Sequence, residues 1–502
     1  MTNLKQKTIK SSGFALALRF VERSLGFVSL LILARLLVPE DFGIVAIASS
    51  IVFLCDVLSE TGGKQYIIQK DEVDDEDLNT AWTLGIILKS ILAIILMMMA
   101  DSISVFIESE SVKAPLIALS LILPISAFTN PRLFVKAKEL SYNVIFKLHA
   151  IQKFTAFTVT VTLAFIYQSY WAMIAGVIVS QITKMFLSFY LLPSRVKFSL
   201  SKLAEQWRFS KWMMAKAIVG YTRSEFDTFF ASKAFGMTEL GALNMMKNIA
   251  LLPGRELLVP LSMPLLASLS QLKSNMFHFN SSLLKILTLI LTVILPIVGF
   301  TVLKAKLIIL VFLDEKWVEY SPLLSAMILF VVTFSLGTIL EQAITAFNKV
   351  RVLVQIQFLS LAVIIIYFVG FFEGNVYEMA ESRVVIAFIS TFAVLVVTHF
   401  ALKVNFFKAV LMLIPAIFAL AASSFALINL SPYIMFKFQL LNLIVNTLVF
   451  FACYFAIWLL STLLLNKIKS INDFNTWVFP LVKELFTTVA DRIKRAASSK
   501  PK

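Results

Sequence analysis

The stretch ILARLLVPEDFG, Ile32 to Gly43, closes one apolar run and opens another. Between them stand Arg35, Pro39, Glu40 and Asp41. Proline suits the first turn of a helix, and acids there favour its positive end. Two greasy segments joined by so short a polar corner predict a helical hairpin. The pattern returns. Lys233 to Gly241, KAFGMTELG, repeats the order of basic residue, apolar pair, corner, acid, apolar residue and glycine at an offset of 198 positions (35 to 233, 43 to 241). At that offset Arg19 falls beside Lys216, and Asp56 falls beside Arg255 and Glu256.

The whole chain fits that reading. Of its 502 residues 59% are hydrophobic and only 15% are charged, too few polar groups to cover a soluble core. The chain reads as an all-α polytopic membrane protein. A hydrocarbon core takes about 20 apolar residues per helix, and the chain offers about fourteen such spans: 13–37, 41–62, 79–101, 114–135, 147–167, 170–192, 209–233, 238–266, 280–303, 322–347, 352–372, 382–403, 408–428 and 438–465. Spans seven and eight carry the most charge and proline. If spans one and two match spans seven and eight, six helices make a repeat and both copies start on one side, a parallel repeat about an axis normal to the membrane. Chance recurrence of small and apolar residues is the alternative. The repeat divides the chain into a lobe over 1–200, a second over 201–405, two added helices over 406–465, and a basic tail over 466–502.

The net charge of +15 does not point to nucleic acid, because the basic residues gather in short segments between apolar runs. Lys5, Lys7, Lys10, Arg132, Lys136, Lys138, Lys147, Arg195, Lys197, Lys202, Arg208, Lys211, Lys349, Arg351, Lys403 and Lys408 fall on one side with the tail. Lys113, Lys233, Lys304, Lys306, Lys316, Arg383 and Lys437 fall on the other. The bias places both termini in the cytoplasm. The basic N-terminus lacks a cleavable signal pattern and reads as a retained cytoplasmic tail. The acidic run Asp71 to Asp77 reads as a solvated helix start favoured by the macrodipole. In the tail, Val478, Leu481, Val482, Leu485, Phe486 and Val489 follow helical spacing, which predicts a segment lying along the inner membrane surface. Cys55 and Cys453 give neither a disulfide framework nor a metal spacing, and three histidines add no metal site. No cofactor is expected.

Charges inside spans carry the functional signal, since a charge in lipid is costly and usually faces protein or water. Arg19, Glu22 and Arg23 share a face of span one. In span seven, Arg223 and Asp227 lie seven and eleven residues after Lys216, rotations of about 700° and 1100°, so the three fall within about 20° of one stripe. Glu225 points away from it, toward a neighbouring helix. Asp56 and Glu60 stand one turn apart in span two. Asn244, Lys247 and Asn248 share a face of span eight, with Arg255 and Glu256 near its inner end. Lys89 and Glu341 stand alone in spans three and ten, and Lys89 is as well placed to snorkel as to act. These groups read either as internal salt bridges or as a site. The excess of base in spans one and seven favours a site that takes an anion, for which arginine offers forked donors. On that reading Arg19, Arg23, Lys216, Arg223, Lys247 and Arg255 bind the anion, while Glu22, Asp56, Glu60, Glu225 and Asp227 couple an ion or gate. No phosphate loop, nucleophile elbow or His-x-x-x-His pair occurs.

The segments LARLLVPEDFGIVAIA and IIQKDEVDDEDLNTAW resemble the amino-terminal half of bacterial polysaccharide flippases of the Wzx type, in the multidrug/oligosaccharidyl-lipid/polysaccharide exporter superfamily. RLFVKAKELSYNVIFKL is similar to that family's basic loop after the fourth helix, and NMMKNIALLPGRELLVPLSMPLLASLSQLK (244–273) to its eighth helix. The resemblance covers most of residues 10–400. It implies two six-helix lobes around a cationic cavity that opens alternately to either side of the bacterial inner membrane. The implied cargo is an undecaprenyl-diphosphate-linked oligosaccharide, and the implied neighbours are glycosyltransferases and a polysaccharide polymerase. CDVLSETGGKQ departs from the family's glycine-rich, less acidic segment, so Asp56 and Glu60 are not carried over. Rivals are a peptidoglycan-precursor flippase, whose cavity is similarly basic, and a drug or cation exporter, which predicts an acidic one. A membrane glycosyltransferase or ligase needs a sizeable outward domain, and the longest outward loop, 304–321, is short.

Overall fold

The structure, a computed structural model, describes residues 25–59, 63, 66, 67, 70, 72–139, 142–347, 349–434, 436–480, 483 and 487. Every regular element among them is helical. The elements are α1 (Leu25–Leu36), α2 (Pro39–Leu58), α3 (Asp75–Ile107), α4 (Lys113–Ser120), α5 (Ile122–Ala127), α6 (Arg132–Lys138), α7 (Tyr142–Tyr167), α8 (Trp171–Leu191), α9 (Leu203–Ala234), α10 (Gly236–Leu272), α11 (Met276–Phe312), α12 (Ser321–Met327), α13 (Phe330–Ala346), α14 (Val350–Gly370), α15 (Val376–Leu402), α16 (Phe407–Leu430), α17 (Gln439–Leu464) and α18 (469–480).

Eleven segments among the described residues are long and apolar enough to cross a membrane, so the protein is a multi-pass membrane protein. Three of the fourteen expected spans stand apart. The first is described only over Leu25–Leu36, and the seventh and eighth fall on the helices α9 and α10, which are not among the eleven.

The chain clusters into two compact units. The first holds residues 1–245, 312–317 and 361–376, and the second the remainder.

In the first unit the opening corner is a helix–helix turn. Pro39 takes the first position of α2, and the Asp41 carboxylate accepts the Val38 N–H at 3.1 Å. The last carbonyls of a helix have no partner within it. Here the Ala34 carbonyl accepts the Trp317 indole N–H at 2.8 Å and the Arg35 carbonyl accepts the Lys316 ammonium at 2.9 Å. Trp317 is fully buried, edge-on to Phe42 at 5.4 Å. Arg35 itself is exposed. The second corner turns differently, at Gly236 with φ +83°, a conformation that costs glycine little.

The two corners meet through their glycines. A Cβ on Gly43 would run into the carbonyl of Met237, and one on Gly241 into the carbonyl of Pro39 and, at 2.8 Å, the nitrogen of Gly43. Residues 39 and 237 are separated by the same offset as 43 and 241, so the contact is reciprocal. Absence of side chains at both positions lets the backbones of α2 and α10 touch.

In the second unit α11 contains Pro296, which cannot donate to the carbonyl four residues back. That carbonyl, Thr292, accepts the buried Tyr454 hydroxyl of α17 at 2.9 Å. Freed backbone groups at membrane depth need such a substitute. A second break in α11 lies at Lys304, where the backbone leaves helical values. The helix α18 buries Ile471, Phe474 and Val478, and the last two pack with Met412, Leu289 and Trp458. Of the residues expected to lie along the membrane surface, Val478 therefore faces the protein. Leu481, Val482, Leu485, Phe486 and Val489 lie outside the described residues.

Candidate functional site

Among the described residues, Glu225 of α9 meets α2, and Asp56 of α2 meets Lys89 of α3. Tyr221 donates its hydroxyl to the Ser50 carbonyl at 2.7 Å, and its ring lies 5.3 Å from Phe53. Glu225 accepts from Ser50 at 3.2 Å and from Thr228 at 3.0 Å, so it does turn to a neighbouring helix. On the other stripe of α9, Arg223 is half-buried and Asp227 is buried. The Lys216 side chain lies outside the described residues, as do Arg19, Glu22, Arg23 and Glu60.

Asp56 of α2 forms an ion pair with Lys89 of α3 at 2.6 Å, and Lys89 also donates to Ser126 at 3.0 Å. Lys89 thus neither stands alone nor snorkels. An opposite charge within reach on the next helix captures it, because the pair loses less in a low-dielectric setting than either charge by itself. A paired Asp56 acts as a helix tie and is not an idle carboxylate.

In the second unit, Lys247 of α10 is half-buried and Arg255 donates to Asn248 at 3.4 Å along the same helix, with Glu256 exposed. Glu341 accepts from Gln357 of α14 at 3.0 Å and so is not alone either. Two groups escaped notice in the sequence. Tyr221 carries no charge, so the placement of charges did not single it out. Arg383, assigned to the outside set, is buried with its guanidinium 5.3 Å over the Phe330 ring.

The acidic run is more than a solvated helix start. Asp74 caps α3 and accepts the Asp77 N–H at 2.7 Å. Asp77 is fully buried and takes Lys70 at 2.7 Å and Tyr66 at 3.1 Å. The hydrogen bond to Asp77 holds the Lys70 ammonium above its ordinary pKa, and burial with the neighbouring Glu205 and Asp77 pushes Tyr66 up. The next turns of α3 grip an extended strap that joins α8 to α9. Asn79, Thr83 and Thr80 accept the backbone N–H groups of Lys197, Ser199 and Lys202 at 3.0, 3.1 and 3.3 Å. Gln206 donates to the Asp77 carbonyl at 2.9 Å, and Ser201 to Glu76. Among the described residues no cluster of His, Cys, Asp or Glu is placed to hold a metal ion.

Residues 32–322 match the sequence profile of the family described as polysaccharide biosynthesis protein. The chain belongs to this family. It is 25% identical over 362 residues to the lipopolysaccharide biosynthesis protein WzxC of Escherichia coli K12, covering 71% of this chain and 73% of that one. It is 22% identical over 310 residues to the succinoglycan biosynthesis transport protein ExoT of Rhizobium meliloti, covering 61% and 62%. Among solved structures it resembles the lipid II flippase MurJ in an inward closed conformation, with a TM-score of 0.74 at 14% identity over 91% of this chain and 99% of that one. An inward-facing multidrug transporter of the MATE family matches with a TM-score of 0.53 at 14% identity, covering 76% of this chain and 94% of the other. The fold is shared with these two structures.

Proposed function

We propose that this member of the polysaccharide biosynthesis family is a transporter that flips an undecaprenyl-diphosphate-linked oligosaccharide across the bacterial cytoplasmic membrane. The observation that carries the reading is the joint one: a family defined by polysaccharide biosynthesis on a fold that covers almost the whole of a lipid-carrier flippase. The named transport relative from a succinoglycan pathway supports the same cargo class. Transport of this kind moves a charged head group through a watery path while the lipid tail stays in the bilayer. Alternating access of two repeated halves, 1–200 and 201–405, accomplishes it, and the reciprocal contact of Gly43 with Gly241 supports such a repeat.

On this reading Arg19, Arg23, Lys216 and Arg223 in the first unit attract the diphosphate or acidic sugars, and Lys247 and Arg255 in the second unit are further candidates for binding the anion. Both termini lie in the cytoplasm, and glycosyltransferases and a polymerase act before and after transfer. Glu22, Glu60, Glu225 and Asp227 are the candidates for ion coupling or gating, while Asp56 is engaged by Lys89. The resemblance to MurJ speaks to the fold alone, so a peptidoglycan precursor is the second reading for the cargo.

The test replaces Arg223, Arg19 or both with alanine and measures lipid-linked sugar delivered to the outer face. A loss of at least tenfold at normal protein level fits the reading, and unchanged delivery removes these residues from the mechanism.

A further inference from the structure

A cavity of about 650 Å³ opens in the second unit between the end of α11, the start of α12 and the start of α15, within the size range of small-molecule sites. Val302 and Val384 form apolar wall. Lys306, Ser321, Ser325 and Glu381 bring the polar groups. The break in α11 at Lys304 falls in the middle of the lining segment.

Depth is legible from the helix ends. Lys306 lies six residues before the end of α11, Ser321 opens α12, and Glu381 lies five residues into α15. At 1.5 Å per residue each stands within roughly 9 Å of its helix end, the level of lipid head groups and upper acyl chain. All three ends are therefore on one side of the membrane.

Lys306 and Glu381 are both exposed, and among the described residues neither has an ion-pair or hydrogen-bond partner. Two opposite charges that line one cavity without bridging each other complement a ligand that is itself dipolar. We propose that this cavity binds one phospholipid with a phosphate and a primary-amine head group, of the phosphatidylethanolamine class. Lys306 meets the phosphate, and Glu381 accepts from the ammonium. The serine hydroxyls serve the ester and phosphate oxygens, and the apolar wall takes the upper acyl chain. An anionic lipid would set its charge against Glu381. A quaternary head group keeps the charge but has no N–H to donate. The proposal does not depend on which cargo is carried.

The experiment uses the full chain, purified in detergent, stripped of lipid, and offered equal amounts of phosphatidylethanolamine, phosphatidylcholine and phosphatidylglycerol with identical chains. Native mass spectrometry reads what is retained. The wild type is expected to keep phosphatidylethanolamine at least threefold over both others. Glu381→Gln should bring it down to the phosphatidylcholine level, and Lys306→Met should lower both zwitterions together. Ala326→Trp, which fills the cavity, should abolish the preference. If that variant does not fold, the two surface variants decide. Equal retention of the three lipids, a preference for phosphatidylglycerol, or a preference that survives Glu381→Gln and Lys306→Met overturns the proposal.

Discussion

Gly43 and Gly241 pack backbone to backbone, each against the residue four positions before the other. Neither can gain a Cβ without moving a main-chain atom, and main chain yields less readily than the tip of a side chain. Gly43→Ala and Gly241→Ala should each destabilise the protein by about 1–3 kcal/mol through overpacking. Because one displaced helix makes room for both methyl groups, the double variant should cost clearly less than the sum. Thermal unfolding in detergent measures this. Full additivity would mean the two positions do not share one crossing.

The pair of Asp56 with Lys89 predicts an asymmetric response. Lys89→Met leaves a carboxylate without its cation and should cost about 1–2 kcal/mol, below the usual loss for a fully buried pair because Asp56 keeps about a third of its side-chain exposure. Adding Asp56→Asn should recover most of the loss. A double variant as unstable as Lys89→Met alone would show that the pair is not what ties α2 to α3.

Glu108, at the end of α3, is paired with Lys233, the basic residue of the second corner. The hydrogen bond from Lys233 lowers the Glu108 pKa below its ordinary 4.5. A depressed folded-state pKa gives stability that is present above about 4.5 and lost as pH falls through the lower folded value. The melting temperature of the wild type should exceed that of Glu108→Gln at neutral pH, and the gap should close as pH falls below 4.5 through the lowered folded-state value. A gap that widens on acidification has the wrong sign for this pair.

The strap between α8 and α9 carries Arg195 and Lys197, both trypsin sites. Its backbone is held by Asn79, Thr80 and Thr83. Replacing Asn79 and Thr83 with alanine should speed cleavage at these two sites severalfold, read by mass spectrometry of timed digests, because proteolysis follows local opening. Cleavage at the wild-type rate would mean that other contacts hold the strap.

The hairpin, the helical class and the recurrence of the glycine corner were legible in the sequence, because turn chemistry and hydrophobic run length are local. Glu225 was legible too, since helical phase alone turns it off the Lys216 stripe. The partners of Asp56, Lys89 and Glu341 were not, since phase within one helix says nothing about which neighbour faces it. The role of the acidic run was half legible. The run reads as a helix start from its position, but the burial of Asp77 under Lys70 and Tyr66 depends on a loop folding back. The cavity beside Lys306 was hidden because the break at Lys304 has neither proline nor glycine at the site to announce it.

The central claim is transfer of a lipid-linked sugar head group, and it is measured directly in vesicles that contain the purified chain and an undecaprenyl-diphosphate-linked oligosaccharide labelled on its sugar. A membrane-impermeant reagent reports how much label stands on the outer face over time. The account predicts protein-dependent equilibration across the bilayer, slowed at least tenfold in Arg223→Ala. Label that stays on the side where it was placed, with folded protein in the vesicles and any required ion gradient imposed, would contradict it.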